Sequence, residues 1–351
     1  NINNLPKVGL YVTLAVAYVA LAGPGLYFFW KQRGMRRYYQ LSVGILSLCC
    51  TGMVLLMGMS TRFTGPFFTY ATIKDTDRDE ISETTFINMR APYNKPYSVT
   101  LNPEYTLYPI TGSAYYNMGP LPKFTGEETP SITIHYDDEG TRVRSDNVGA
   151  FNSKFFMMER RMENGQQEGF TGDVNSFDGK VTGTLTNNYG QEVDNVAILL
   201  YNQMILIGHM EPGETVSLDG MKVIYGITNF GYAMAEQITG ASRYKEDKDI
   251  RDASYVQALE RTNLLSFYMG NYLSGYHSEA RVLGFSNEKE ETEFLKSSNY
   301  ETYGSTLLTS SIDVNYEQDG MIYRSALQKQ PNVLSGEYYE SNNSMYGLTP
   351  V

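Results

Sequence analysis

Two uncharged stretches constrain this chain more than any other feature: residues 8–30 and residues 41–59. As α-helices rising about 1.5 Å per residue they would be about 35 Å and 28 Å long, enough for a hydrocarbon core about 30 Å thick. Residues 31–40, between them, carry Lys31, Arg33, Arg36 and Arg37 and no acid. Basic loops stay in the cytoplasm, so everything after Arg62 is expected outside it. Trp30, Tyr38 and Tyr39 stand where interfacial aromatic anchors belong. A signal peptide would be shorter, more basic at its start and not followed at once by a second span. Residues 1–62 are therefore expected to form a transmembrane helical hairpin in contact with membrane lipid through 8–30 and 41–59.

The hairpin reads as an anchor. Neither span holds an acid, a His or an internal Arg, the groups that mark ion or proton paths. Gly23-Pro24-Gly25 interrupts the first span, and a proline frees a carbonyl that must find a partner in lipid. Gly44, Ser47, Thr51 and Gly52 give the second span a small-residue side that is expected to let the helices approach closely.

Charge divides the chain in the same place. Residues 1–64 contain no Asp or Glu and six of the 28 Lys and Arg, leaving 22 basic residues against all 39 acids, a formal charge of −17. Such a surface repels nucleic acid, and no nucleic-acid partner is expected. Cys49 and Cys50, the two cysteines, lie in the second apolar run, so the rest of the chain has neither disulfide nor thiolate metal site. Tyrosine is heavily used, at 29 residues against one Trp, and suits sheet faces and exported recognition surfaces.

Beyond the anchor, residues 63–95 are expected to be a juxtamembrane connector, with 73–83 a charged loop. Residues 96–351 are expected to form a mainly β domain. Short strands are predicted at 97–101, 105–110, 131–136 and 142–145, the last two flanking the turn Asp137-Asp138-Glu139-Gly140. Residues 151–158 fit a strand or a short helix. The clearest signal runs over 169–218, where strands alternate with turns at Asn175–Gly179, Asn188–Gly190, Asn202–Gln203 and Glu211–Gly213. This spacing predicts immunoglobulin-like sandwich elements. The period then changes: residues 232–238 and 252–273 are expected as an inserted helical stretch, with Val256, Leu259, Leu265, Tyr268, Met269 and Tyr272 forming one apolar stripe. Strands return at 281–286 and 305–314, a helical turn is expected at 291–296, and the tail from Gln328 reads as loop.

The spans and the 169–218 segment together resemble a group of poorly characterised bacterial membrane proteins. The residues that carry the likeness are Gly23-Pro24-Gly25-Leu26-Tyr27, the basic loop from Lys31 to Arg37, Gly183-Thr184-Leu185-Thr186-Asn187, Gly208, Pro212-Gly213-Glu214, Arg281-Val282-Leu283-Gly284-Phe285 and Gly304-Ser305-Thr306-Leu307-Leu308. The resemblance implies a cell-envelope role in a bacterial cytoplasmic membrane. It also implies an upstream glutamine-amidotransferase-like or von Willebrand-like domain, which fits the start at Asn1 and a longer parent protein.

A search for chemistry assigns no catalytic, cofactor-binding or metal-ligating residue, and no cofactor is expected. His135, His209 and His277 are far apart and have no i, i+4 partner. Asp173-x-Asn175-x-Phe177-Asp178-Gly179 has Phe177 at a ligand position of a calcium loop and reads as a turn. The acid pairs Glu127-Glu128 and Asp137-Asp138 are adjacent, whereas glycoside hydrolysis needs separated carboxylates. The acidic runs at 75–83 and 288–293 read as solvated faces. The expectation is a non-enzymatic, membrane-anchored envelope protein whose exported domain binds an envelope protein. The alternatives are a cell-wall glycan-binding module built on exposed tyrosines, or an anchor for an enzymatic domain upstream.

Overall fold

The computed structural model describes residues 8–59, 65–109, 132–146, 149–200, 203–225, 231–242, 252–273, 280–286, 293–296, 300–318, 321–322, 333–339 and 344–350. The chain divides into two units, Asn1–Gly65 and Pro66–Val351.

In the first unit, helix α1 (Val8–Ala20) runs through a π-helical turn (Leu21–Gly25) into α2 (Leu26–Gln32), and α3 (Tyr39–Met59) follows a short 3-10 turn at Arg36–Tyr38. Val8–Gln32 and Arg36–Gly58 are both long and apolar enough to cross a membrane. Pro24 lies inside the π turn, the expected consequence of a missing backbone donor. The Tyr39 hydroxyl donates to the Ala22 carbonyl at 2.9 Å, and Trp30 Nε1 donates to Ser42 Oγ at 2.9 Å. These bonds join the helices near the basic loop. The small-residue side plays no such part at its glycines: a Cβ added at Gly44 or Gly52 would meet nothing within 4 Å.

The second unit centres on a nine-stranded sheet. Its chain begins with a hairpin, β1 (Phe67–Thr76) and β2 (Glu80–Arg90). Next come β3 (Tyr97–Leu101), β4 (Thr106–Pro109), β5 (Ile132–Asp137), β6 (Gly140–Ser145) and β7 (Lys154–Glu163). The 169–218 segment becomes β8 (Phe170–Phe177), β9 (Lys180–Asn187), β10 (Val193–Leu200), β11 (Gln203–Met210) and β12 (Thr215–Ser217). Then follow β13 (Val223–Tyr225), helices α4 (Gly231–Thr239) and α5 (Ala253–Asn271), β14 (Ala280–Ser286), β15 (Glu301–Ile312) and β16 (Val314–Asn315). The large sheet has the order β13-β11-β10-β14-β15-β1-β2-β7-β4, with β1 and β15 parallel. Two smaller sheets, β12-β9-β8-β16 and β3-β6-β5, complete the layers.

Alternation along the strands divides the core. Val196, Ile198 and Leu200 of β10 pack with Val174, Val181 and Leu185 of the four-stranded sheet. Ala197 and Leu199 turn the other way and meet Met234, Leu265 and Tyr268 of the two helices. Phe68, Ile87, Met89, Phe156 and Met158 pack under the three-stranded sheet with Val99, Leu101 and Val143. Since Leu308 of the first core stands opposite Lys74, and Lys74 shares a face with Phe68, both small sheets cover the same side of the large one.

Three expectations need correction. Residues 67–90 form a hairpin within the large sheet and not a connector; of the expected charged loop, Lys74, Asp75, Glu80 and Glu83 belong to strands and only Asp77, Arg78 and Asp79 lie in the turn. Glu80–Arg90 alternates buried and partly exposed residues along its length, the signature of a half-buried strand that its charges obscure. The tail contains strands β19 (Val333–Tyr339) and β20 (Ser344–Pro350), an antiparallel hairpin that follows the two short strands β17 (Glu317–Gln318) and β18 (Met321–Ile322). At 293–296 a turn leads Leu295 into a bridge with Leu101.

Candidate ligand-binding cleft

Between the two small sheets, one strip of the large sheet stays open. β1 supplies Tyr70, Thr72 and Lys74 to it; β2 supplies Ile81, Glu83 and Thr85; β7 supplies Arg160 and Met162. Residues 163–168, Gln191, Glu293 and Phe294 form the walls, enclosing a cleft of about 530 Å³.

Arg160 organises the floor. Its Nε and Nη2 contact Glu83 Oε2 at 3.0 and 2.9 Å, Nη2 reaches Glu293 Oε2 at 2.6 Å, and Nη1 reaches Glu104 Oε2 at 3.2 Å. The guanidinium lies 4.7 Å from the centre of the Tyr105 ring, and the Tyr105 hydroxyl donates to Glu83 Oε2 at 3.0 Å. Burial and then the adjacent Glu83 charge raise the Tyr105 pKa. Burial alone would lower the Arg160 pKa, but Glu83, Tyr105 and Glu293 raise it, so the floor holds a fixed cation. Lys74 is matched in the same way by Glu168 at 2.8 Å. Asn164 shapes the wall: its amide donates to the carbonyls of Asp77 and Glu168 at 2.8 and 2.9 Å, and its Oδ1 accepts from the Glu168 N–H at 2.9 Å.

Two cations, Lys74 and Arg160, face four carboxylates in the lining, Glu83, Glu163, Glu168 and Glu293. Both cations are bound to carboxylates, so the cleft disfavours anions and offers its surplus charge to cationic or neutral polar groups. Among the described residues the lining has no His, Cys or Ser, and the Thr72 and Thr85 hydroxyls bond each other at 3.0 Å. The arrangement suits recognition: hydrogen-bonding groups on a rigid sheet, with the Tyr70 and Phe294 rings meeting edge to face at 5.6 Å.

Glu83 and Glu293, the last residues of the two acidic runs expected as solvated faces, line the cleft, and Glu83 is buried; the other described residues weighed from sequence lie elsewhere. His135 is in β5. His209, at the end of β11, touches Asp194 Oδ1 at 2.7 Å and Glu211 Oε1 at 3.3 Å, and Asp194 also meets Arg261 at 3.4 Å. His277 and the pair Glu127-Glu128 are outside the described residues. Asp178 and Gly179, with φ of 47° and 71°, form the tight turn between β8 and β9, as a turn reading of that segment requires. Asp137 Oδ1 accepts from the Glu139 and Gly140 N–H groups, making the other hairpin turn. Of these, none of the described residues lines the cleft.

A family model described as a domain of unknown function (DUF8725) matches residues 169–315, less than half the chain. The match takes in β8–β16 and both helices of the second unit. It supplies Gln191, Glu293 and Phe294 to the cleft, while the floor comes from strands outside it. No curated protein matches. Among solved structures, the yeast delta-COP-I mu-homology domain complexed with Dsl1 WxWxV peptide is similar with a TM-score of 0.32 and 8% identity, over 71% of this chain and 97% of that one. A second structure of the yeast delta-COP-I mu-homology domain gives 0.31 and 9%, over 72% and 98%. Likeness at this level carries neither fold nor function to this chain.

Proposed function

We propose that this chain is a non-enzymatic, membrane-anchored protein of the bacterial envelope whose β domain binds a partner protein outside the cytoplasm. In this reading the two N-terminal helices cross the membrane as a hairpin, the basic loop is cytoplasmic, and strands β8–β12, β14 and β15 form an immunoglobulin-like sandwich. The observation that carries it is the cleft: a preformed recess of about 530 Å³ with a cation-locked floor, surplus carboxylates and, among the described residues, no nucleophile–base pair. The positive-inside distribution around residues 31–40 supports the orientation.

A tyrosine-based glycan platform has less support. The exposed tyrosines described in the second unit, Tyr136, Tyr225 and Tyr272, lie on three separate elements, on β5, on β13 and just past α5. The test is affinity capture with the full chain in detergent, run in parallel against membrane-protein extract and isolated cell-wall polymer. The expected result is saturable retention of specific membrane proteins, weakened by Glu163→Lys at the cleft wall. Saturable retention on the polymer alone, or turnover of envelope glycan or peptide, contradicts the proposal.

A further inference from the structure

The second unit is strongly acidic overall, yet one corner is not. Residues 65–73, 84–95 and 149–158, which meet at the start of β1, contain no Asp or Glu and contribute Arg90, Lys95 and Lys154, against Glu301 of β15, which stands opposite Phe67. At this corner Phe67, the first residue of β1, pairs with Arg90, and Asn88 stands opposite Phe155. Phe156 and Met158 are buried under the three-stranded sheet, so Phe155 points to the opposite face, where it is 49% exposed. Phe151 is 52% exposed, with its ring 6.4 Å from that of Phe67. Its backbone is left-handed, at φ 62°, which a bulky residue rarely adopts. The segment is fixed there by Phe151 N–H to the Ala91 carbonyl at 2.7 Å and Ala150 N–H to Asn94 Oδ1 at 2.5 Å. The corner thus presents two outward phenyl rings beside Arg90, whose Nε donates to Ser153 at 2.9 Å.

We propose that this corner docks on the bilayer surface: Phe151 and Phe155 enter the headgroup region, and Arg90, Lys95 and Lys154 face anionic lipid headgroups. Exposed aromatic rings flanked by cations are the chemistry of an interfacial contact. Chain length argues for lipid over a soluble partner. Only eight residue steps separate Met59, the end of α3, from Phe67, and these span less than about 30 Å when fully extended. Arg90, Lys95 and Lys154 outnumber Glu301 at the tethered corner of an acidic domain, and this local surplus of basic charge complements an anionic lipid surface. The inference rests on the membrane-anchored reading above.

The test uses the full chain in liposomes containing anionic lipid brominated near the headgroup, which quenches nearby indoles. The wild-type chain reports anchoring through Trp30, its single tryptophan. Phe155→Trp in a Trp30→Phe background reports the corner, and Phe151→Trp repeats it should the first variant unfold; unchanged circular dichroism establishes folding. We expect the indole at the corner to lose most of its emission to brominated lipid, and Arg90→Glu with Lys154→Glu to restore at least half of that loss. A quenched Trp30 with an unquenched corner overturns docking and leaves anchoring standing. An unquenched Trp30 overturns anchoring and docking together.

Discussion

Arg160 shows how much of the cleft depends on single side chains. Its side chain is 8% exposed and that of Glu83 10%, so the pair is desolvated and each partner needs the other. Arg160→Ala should lower stability by about 3–5 kcal/mol, because it leaves a buried carboxylate uncompensated. Arg160→Met combined with Glu83→Leu should recover much of that loss; chemical denaturation of the single and double variants checks both. None of this was legible from sequence, since Glu83, Glu104 and Glu293 lie 77, 56 and 133 residues from Arg160. Local chemistry was legible. Asn187, the last residue of a segment that carries the resemblance, ends β9 fully buried and donates to the carbonyls of Gln191 and Glu211, both at 3.0 Å. His209 gives a pH prediction. Its hydrogen bonds to Asp194 and then Glu211 raise its pKa above the ordinary value. A raised folded pKa means stability that is present below the unfolded value of about 6.5 and lost as pH rises through the folded value. The melting temperature of wild type should therefore exceed that of His209→Gln most at about pH 6, with the gap closing toward about pH 9.

At the scale of elements, the parallel pairing of β1 with β15 is what opens the cleft. Gly304 stands opposite Tyr70, and a Cβ there would lie 2.3 Å from the Tyr70 carbonyl oxygen and 2.6 Å from its ring. The glycine lets the Tyr70 ring lie against β15 and form the cleft wall. Gly304→Ala should cost roughly 1–3 kcal/mol and move the Tyr70 ring, seen as a shift of its aromatic NMR signals. Gly165→Ala, where nothing lies within 4 Å, should do neither. The strands of 169–218 and both helices were readable because their periods are clean and their turns carry Asn, Asp and Gly. Strands β1 and β2 were not. Lys74 and Glu83 face the cleft while Asp75, Glu80 and Arg90 lie on the other face, so charge on both faces hid the alternation that announces a strand.

At the scale of the whole molecule, two apolar helices without acids precede an acidic β domain that gathers Arg90, Lys95 and Lys154 where the chain enters it. The two long apolar helices were legible because a bilayer-length run without charge is written in the sequence directly. The nine-stranded sheet was not, because its central pairing brings residues 67–76 beside 301–310, a contact no local pattern encodes. The central claim is that the second unit stands outside the cytoplasm. The most direct measurement is labelling of intact cells with a membrane-impermeant maleimide. The full chain would carry Cys49→Ala and Cys50→Ala, with one cysteine introduced by Gly190→Cys or by Met35→Cys. The account predicts labelling of the Gly190→Cys chain in intact cells and of the Met35→Cys chain only after permeabilisation. The reverse pattern, with Met35→Cys labelled and Gly190→Cys protected, would contradict it.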